Sequence, residues 1–483
     1  MGVTNTDKAL KDKISDYIDS MRDDMVATLS ELISYPSCRQ DAKADAPFGE
    51  DARRCLDRAL EICSGFGLKT RCFDGYAGTA ELYGESGDGK EPAEPVLGIL
   101  AHLDVVPAGD GWSFEPFCAT VSQGKVYGRG AIDDKGPAVA AMYAAKAVKD
   151  LNIPIKDGVR LIFGTDEECG SSDLEYYFKK EAPPKYSFTP DASYPVINIE
   201  KGMIRGKLTA KAYTSLSSRL LIELEGGTVV NAVPGTAYAV VSGISADEVA
   251  AAEKKLSLPV EFDIKEFAGL NTLRITAVGK SAHASTPELG KNAVTALMAL
   301  ISELGLADEA SELVSKLSKL FPYGETDGKS MGLKISDRLS GSLTCVLSVI
   351  SYSSGQLEAK FDIRLPVSSS VEQVLSKLKP AVQGAGLTLS EYSGTQPHHV
   401  SADSPIVKKL LEVYEEVSGK KGECIAIGGG TYVHEIEGGV AFGPEIEGED
   451  NHLHAADEFI RIDHLLMCAK MMALAICKIC SGD

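Results

Sequence analysis

The chain has 483 residues, 44% of them hydrophobic and 24% charged, with a formal net charge of -20 at pH 7. Domains hold roughly 100–200 residues, so two or three compact units are expected. The acidic balance excludes the basic footprint of a nucleic-acid binder and argues against an anionic membrane surface.

The opening segment, MGVTNTDKALKDKISDYIDSM, is charged and lacks the apolar stretch of a secretory leader. No run of about 18 apolar residues follows, so no spanning helix is predicted, and a cytoplasmic setting is expected. Gly2 and Thr6 match a minimal myristoylation pattern, but no basic patch follows it, and a charged helix start is the preferred reading. The eleven cysteines read as buried free thiols of a reducing compartment.

Apolar residues at helical spacing (Ile14, Tyr17, Ile18, Met21, Met25, Leu29, Leu32) predict one long helix from about Lys8 to Ile33. A second runs from about Glu50 to Cys63. Then PVLGILAHLDVV reads as a buried strand, PAVAAMYAAKAV as a helix, VRLIFGTDEE as a strand and SFTPDASYPVI as another. That alternation predicts an α/β domain, its sheet flanked by helices. From about Glu200 the text turns to alternating strands with the helices SADEVAAAEKKL, NAVTALMALISELG and SVEQVLSKLKPAV, which predicts an inserted α+β domain. The expected boundaries are 1–199 and 398–483 for the first domain and 200–397 for the insertion.

Acidic and histidine residues gather just after the apolar strands. His102 and Asp104 stand two apart at a strand end and so share a side. Asp104 is placed to support a ligating imidazole. Asp133 and Asp134 precede a helix, where N-capping is the competing reading. Asp166, Glu167 and Glu168 leave the VRLIF strand together, Asp191 leaves another, and NHLHAADE supplies His452, His454, Asp457 and Glu458. Ligands of α/β sheets collect at the carboxyl ends of strands. Two histidines with several carboxylates suit zinc, manganese or cobalt, and so many candidate ligands suit a metal pair.

The segments AHLDVVPAGDGWSFEPF, VYGRGAIDDKGP, FGTDEECGSSD, TPDASYPV, VVNAVPG, GKSAHASTP, FDIRLP, GGGTY, VAFGP and HAADE occur in one order. In that order they resemble the di-zinc aminoacylase and carboxypeptidase G superfamily, and in detail its peptidase V branch of dipeptidases. The resemblance implies a mixed-sheet catalytic domain and an inserted lid of two ferredoxin-like halves. It implies two zinc ions, for which manganese or cobalt could substitute. His102 and Asp191 would hold one, Glu168 and His454 the other, and Asp133 would bridge, across a cis peptide to Asp134. Asp104 would orient His102, and Glu167 would act as general base. From the lid, Asn231, His283 and Arg364 would reach the substrate over the metals. His283 would donate to the forming oxyanion, while Arg364 and the backbone of Gly429, Gly430 and Thr431 would bind the free carboxylate. His452 matches nothing in the family.

One departure stands out: where the branch usually has an arginine two residues after GGGTY, this chain has Val433 followed by His434. A shorter, titratable group there leaves substrate preference open. The expected substrate is a short unblocked peptide; the rivals are an N-acyl amino-acid deacylase or desuccinylase and a non-catalytic peptide- or metal-binding relative. The insertion is long enough for two small domains, so the second half could stand where a partner's lid would, and an active monomer is expected.

Overall fold

The computed structural model describes residues 5–84, 95–212, 217–267 and 271–482. Gly2 of the myristoylation pattern lies outside the described residues. The chain divides into two compact units: Met1–Asn198 with His399–Ile425 and Gly430–Asp483, and Ile199–His398 with Ala426–Gly429. The short piece 426–429 thus groups with the second unit, a detail absent from the expected boundaries.

The first unit is built on a nine-stranded mixed sheet. Its successive strands include Lys69–Phe73, Ala77–Leu82, Gly158–Gly164, Pro95–His102, Tyr186–Thr189 and Val440–Ala441. The centre is parallel: Pro95–His102 pairs with Gly158–Gly164 on one side and Tyr186–Thr189 on the other. Every residue of Gly158–Gly164 is buried, which explains its unbroken apolar run. Helix Lys135–Asp150 is alanine-rich and buried almost all round, and it packs against the last helix, Ile462–Ile479.

The expected long N-terminal helix is two helices, Asn5–Ser20 and Arg22–Ile33. They part at Met21, whose amide bonds to Ile18 O at 3.0 Å, a tighter turn than that of the α-helix. Cys468 and Cys477 of the last helix and Cys480 just past it are buried, but Cys72, Cys118 and Cys169 are exposed, against the expectation of buried thiols. Cys477 and Cys480 have C-x-x-C spacing, yet no potential metal group among the described residues contains a cysteine.

The second unit carries a continuous eight-stranded antiparallel sheet. Its order is Glu261–Phe267, Thr272–Val278, Thr236–Ser242, Leu220–Gly226, Thr344–Ser353, Gln356–Leu365, Gly202–Lys211, Thr388–Thr395. Two four-stranded halves join where Leu224–Gly226 face Ile350–Tyr352. Their helices include Ala246–Leu256, Ala293–Glu303 and Val371–Gly384, as the apolar spacing predicts. A fourth, Glu309–Leu320, lies outside the predicted helices. Its signals are local: Asp308 accepts the Ser311 amide as an N-cap, and Ala310, Leu313, Val314 and Leu317 form a buried stripe.

Candidate active site

Three neighbouring parallel strands end together and deliver most of the candidate residues. His102 closes Pro95–His102, in register with Gly164 at the end of Gly158–Gly164. Glu167 and Glu168 follow in the short turn Glu167–Cys169, and Asp191 comes two residues after Tyr186–Thr189. Asp133 arrives from the loop before helix Lys135–Asp150, and His454 from the loop before Phe459–Arg461.

Asp133 stands between two histidines. His102 Nε2 lies 2.9 Å from its Oδ1 and 3.5 Å from Asp191 Oδ2. His454 Nε2 lies 2.8 Å from the other oxygen, Oδ2, and 3.1 Å from Glu168 Oε1. Two potential metal groups therefore share one carboxylate: His102, Asp133, Asp191 and Asp133, Glu168, His454. Glu167 belongs to neither.

The N-capping reading of the two aspartates fails. Asp134 occupies the N-cap position but makes no capping bond; its Oδ2 accepts the His102 backbone amide at 3.1 Å. The Asp133–Asp134 peptide is cis, as the resemblance implies. Asp104 has two tasks. Its carbonyl oxygen lies 3.0 Å from His102 Nδ1, with its carboxylate Oδ1 at 3.5 Å. Its carboxylate also accepts the backbone amides of Glu167 at 3.2 Å and Glu168 at 3.1 Å.

The electrostatics of this cluster call for a cation. Burial, then neighbouring carboxylates, pushes Glu167 well above the usual range, and burial, then Asp133, raises Asp191. Burial also raises Glu168, against its bond to His454. For Asp133 burial works against ionisation, but His102 and His454 prevail and hold it low. His454 is raised to about 10 by its bonds to Asp133 and Glu168. Divalent ions between these oxygens and neutral imidazoles would meet that demand, and the nitrogen and oxygen donors suit zinc, manganese or cobalt.

Several supporting residues were not singled out in the sequence. Tyr432, in GGGTY, stands edge-on to the His102 ring at 6.0 Å and donates its hydroxyl to Asp173 Oδ2 at 2.5 Å. That oxygen also accepts the amides of Thr165 at 2.6 Å and Asp166 at 2.9 Å. A Cβ at Gly164 would fall 1.9 Å from the Tyr432 hydroxyl, so this strand end needs glycine. His452 turns from the cluster: Nδ1 lies 3.1 Å from Ala456 O, and its ring stands edge-on to Phe459.

In the second unit, His283 Nδ1 accepts the Ser285 amide at 3.2 Å and lies 2.6 Å from Ser285 Oγ. Accepting at Nδ1 places the proton of the neutral ring on Nε2, leaving that nitrogen a donor. Burial, then Arg364, lowers the His283 pKa and favours this neutral form. Arg364 is buried. Its Nε and Nη2 donate to Asp362 at 2.6 and 3.0 Å, and Nη1 donates to Gly428 O at 2.5 Å. Gly428 has no room for a side chain, since a Cβ would lie 2.3 Å from Ser285 Cβ. Asn231 is exposed, and its carbonyl accepts the Ala284 amide at 2.8 Å. Gly429 has open space where a side chain would be. In the first unit, Thr431 precedes the turn Tyr432–Glu435 that carries the half-buried His434.

Residues 98–478 match the model of Peptidase family M20/M25/M40. "Putative dipeptidase YtjP" of Bacillus subtilis (strain 168) is 37% identical over 94% of this chain and 97% of its own length. The "Beta-Ala-Xaa dipeptidase" of Lactobacillus delbrueckii subsp. lactis is 31% identical over 96% of this chain and 98% of its own. Among solved structures, human carnosine dipeptidase 1 is similar in fold, with a TM-score of 0.59 at 18% identity over 98% of this chain and 99% of its own. The chain belongs to peptidase family M20/M25/M40 and is a metallopeptidase.

Proposed function

We propose that the chain is a dipeptidase that hydrolyses short unblocked peptides at a two-metal centre. Asp133 carries this reading, because its two oxygens face two separate ligand groups. His102 and Asp191 would hold one ion, Glu168 and His454 the other, with zinc the first choice and manganese or cobalt as substitutes. Bound ions of this kind supply Lewis acidity and lower the pKa of water from 15.7 toward about 7. Glu167, outside both ligand groups, takes a proton from the attacking water and returns it to the leaving amine. His283 donates from Nε2 to the carbonyl oxygen as negative charge develops there. Arg364 retains N–H groups beyond its Asp362 and Gly428 bonds for a substrate carboxylate, alongside the Gly429, Gly430 and Thr431 backbone. Asn231 completes the proposed substrate contacts. The relatives named dipeptidases support the substrate class, and the Beta-Ala-Xaa relative adds β-alanyl dipeptides to the compounds worth testing.

The test is metal-stripped protein, reloaded with zinc, cobalt or manganese, against α- and β-linked dipeptides and N-acetyl and N-succinyl amino acids. Metal-dependent release of amino acids from dipeptides is expected. Release of acetate or succinate alone would replace this reading with a deacylase.

A further inference from the structure

Glu458 closes the HAADE segment four residues after His454 and is fully buried. Its Oε1 accepts the backbone amides of Ile132 at 3.0 Å and Asp133 at 3.3 Å. Its Oε2 accepts the Gly130 amide at 3.1 Å and an Arg129 guanidinium N–H at 2.5 Å. Its carbonyl oxygen accepts the Gly128 amide at 3.0 Å. One residue thus gathers the whole loop that ends in Asp133. Arg129, only 1% exposed, extends the brace: Nη2 donates to Ala108 O at 3.1 Å, and the guanidinium lies over the Trp112 ring. Pro107 to Trp112 belong to the segment that leaves His102 and Asp104. The three loops bearing His102, Asp133 and His454 therefore meet on one buried ion pair.

We propose that Glu458 is a positioning residue that sets the bridging carboxylate through the main chain of the Asp133 loop. The inference rests on the reading of Asp133 as the bridge. A buried ion pair alone is weak evidence of purpose, since an apolar pair of similar volume can replace one without loss of stability. The amide bonds are a different matter. Four backbone N–H groups of one loop converge on Glu458, and an apolar side chain cannot accept the three that its carboxylate takes. Without them the loop is free to shift, and Asp133 can no longer face both histidines at once. The expected signature is a selective loss of the second metal, because a displaced Asp133 can still serve one group. Residues that orient metal ligands are typically worth 10–100-fold in metal affinity.

Two double variants separate positioning from charge balance. Arg129→Met with Glu458→Gln removes both charges and keeps a carbonyl oxygen for the amides. Arg129→Met with Glu458→Met removes both charges and every acceptor. Metal-free samples are titrated with zinc by calorimetry, with circular dichroism to establish folding. The Gln variant keeps one oxygen for the Ile132 and Asp133 amides but turns an N–H group toward Gly130, so its weaker ion is expected to be held less tightly than in wild type, and the Met variant to bind that ion about 10–100-fold less tightly than wild type and more weakly than the Gln variant. Should the Met variant not fold, Arg129→Met with Glu458→Asn takes its place, since it is equally uncharged and its shorter side chain does not reach the same amides. Equal second-ion affinity in the acceptor-bearing and acceptor-deficient variants would overturn the proposal. A wild type that binds two ions while Asp133→Asn binds both unchanged would instead overturn the bridging role itself.

Discussion

The Asp104 carboxylate holds Glu168 by its backbone, accepting the amide on Oδ2 at 3.1 Å, while Oδ1 accepts the Glu167 amide at 3.2 Å. The main-chain carbonyl of the same residue faces His102 Nδ1 at 3.0 Å, so a proposed ligand of each metal and the proposed base depend on one residue. Asp104→Asn offers one acceptor where two are needed and turns an N–H group toward a backbone N–H. Loss of roughly 10–100-fold in metal affinity or activity is expected, read by metal titration and steady-state rates. An Asn variant with native affinity and rate would reduce Asp104 to packing.

Glu167 and Glu168 are adjacent but should behave differently. Glu167→Gln is expected to lower kcat by about 10²–10⁴-fold with two metals retained. Glu168→Gln should lower metal content, because its Oε1 is one of the His454 partners. Elemental analysis beside initial rates separates them. Similar activity and two metals in both variants would dismiss the division of roles.

Asp173 supplies a pH signature. Burial, then the charge of Asp104, raises its carboxyl to about 6, despite bonds from Tyr432, Leu174 and Thr165. The folded state binds this proton more tightly than the unfolded state. The stabilising contribution is therefore full below the unfolded value near 3.8 and is lost as pH rises through about 6. In metal-free protein, wild type should lose stability relative to Asp173→Asn across that window, by roughly 2–3 kcal/mol at about 1.4 kcal/mol per pKa unit. Denaturant midpoints of both proteins between pH 4 and pH 7.5 check this, and a constant difference would remove the assignment.

The active species is expected to be the monomer, with His283 serving the metals of its own chain. Mixing Glu167→Gln with His283→Ala, each inactive alone, should restore nothing after the two are denatured and refolded together. Recovered activity would mean that His283 works across a dimer.

Much of the candidate centre was legible in the sequence because strand ends are legible. Apolar runs stop where a sheet stops, so His102, Glu167, Glu168 and Asp191 could be placed at strand exits from text alone. The family motifs then supplied roles for each. Short-range signals also mark most helices, and Glu309–Leu320 too carries a cap and a stripe that periodicity can detect.

Other features depend on residues far apart in the chain. No local pattern says that Asp133 presents one oxygen to His102 and the other to His454, since that depends on which strands are neighbours. Glu458 reaches back across more than 300 residues to the amides before Asp133, and Tyr432 reaches Asp173 across 259. Arg364 is held by Asp362 on its own strand and by the carbonyl of Gly428, 64 residues on, and no local pattern announces the second partner. The sequence by itself determined the elements, the family and the chemical types gathered at the strand ends. Only the tertiary structure decided which oxygen meets which imidazole and which buried groups brace them, because hydrogen bonds need ångström-scale placement that sheet order and loop closure create together.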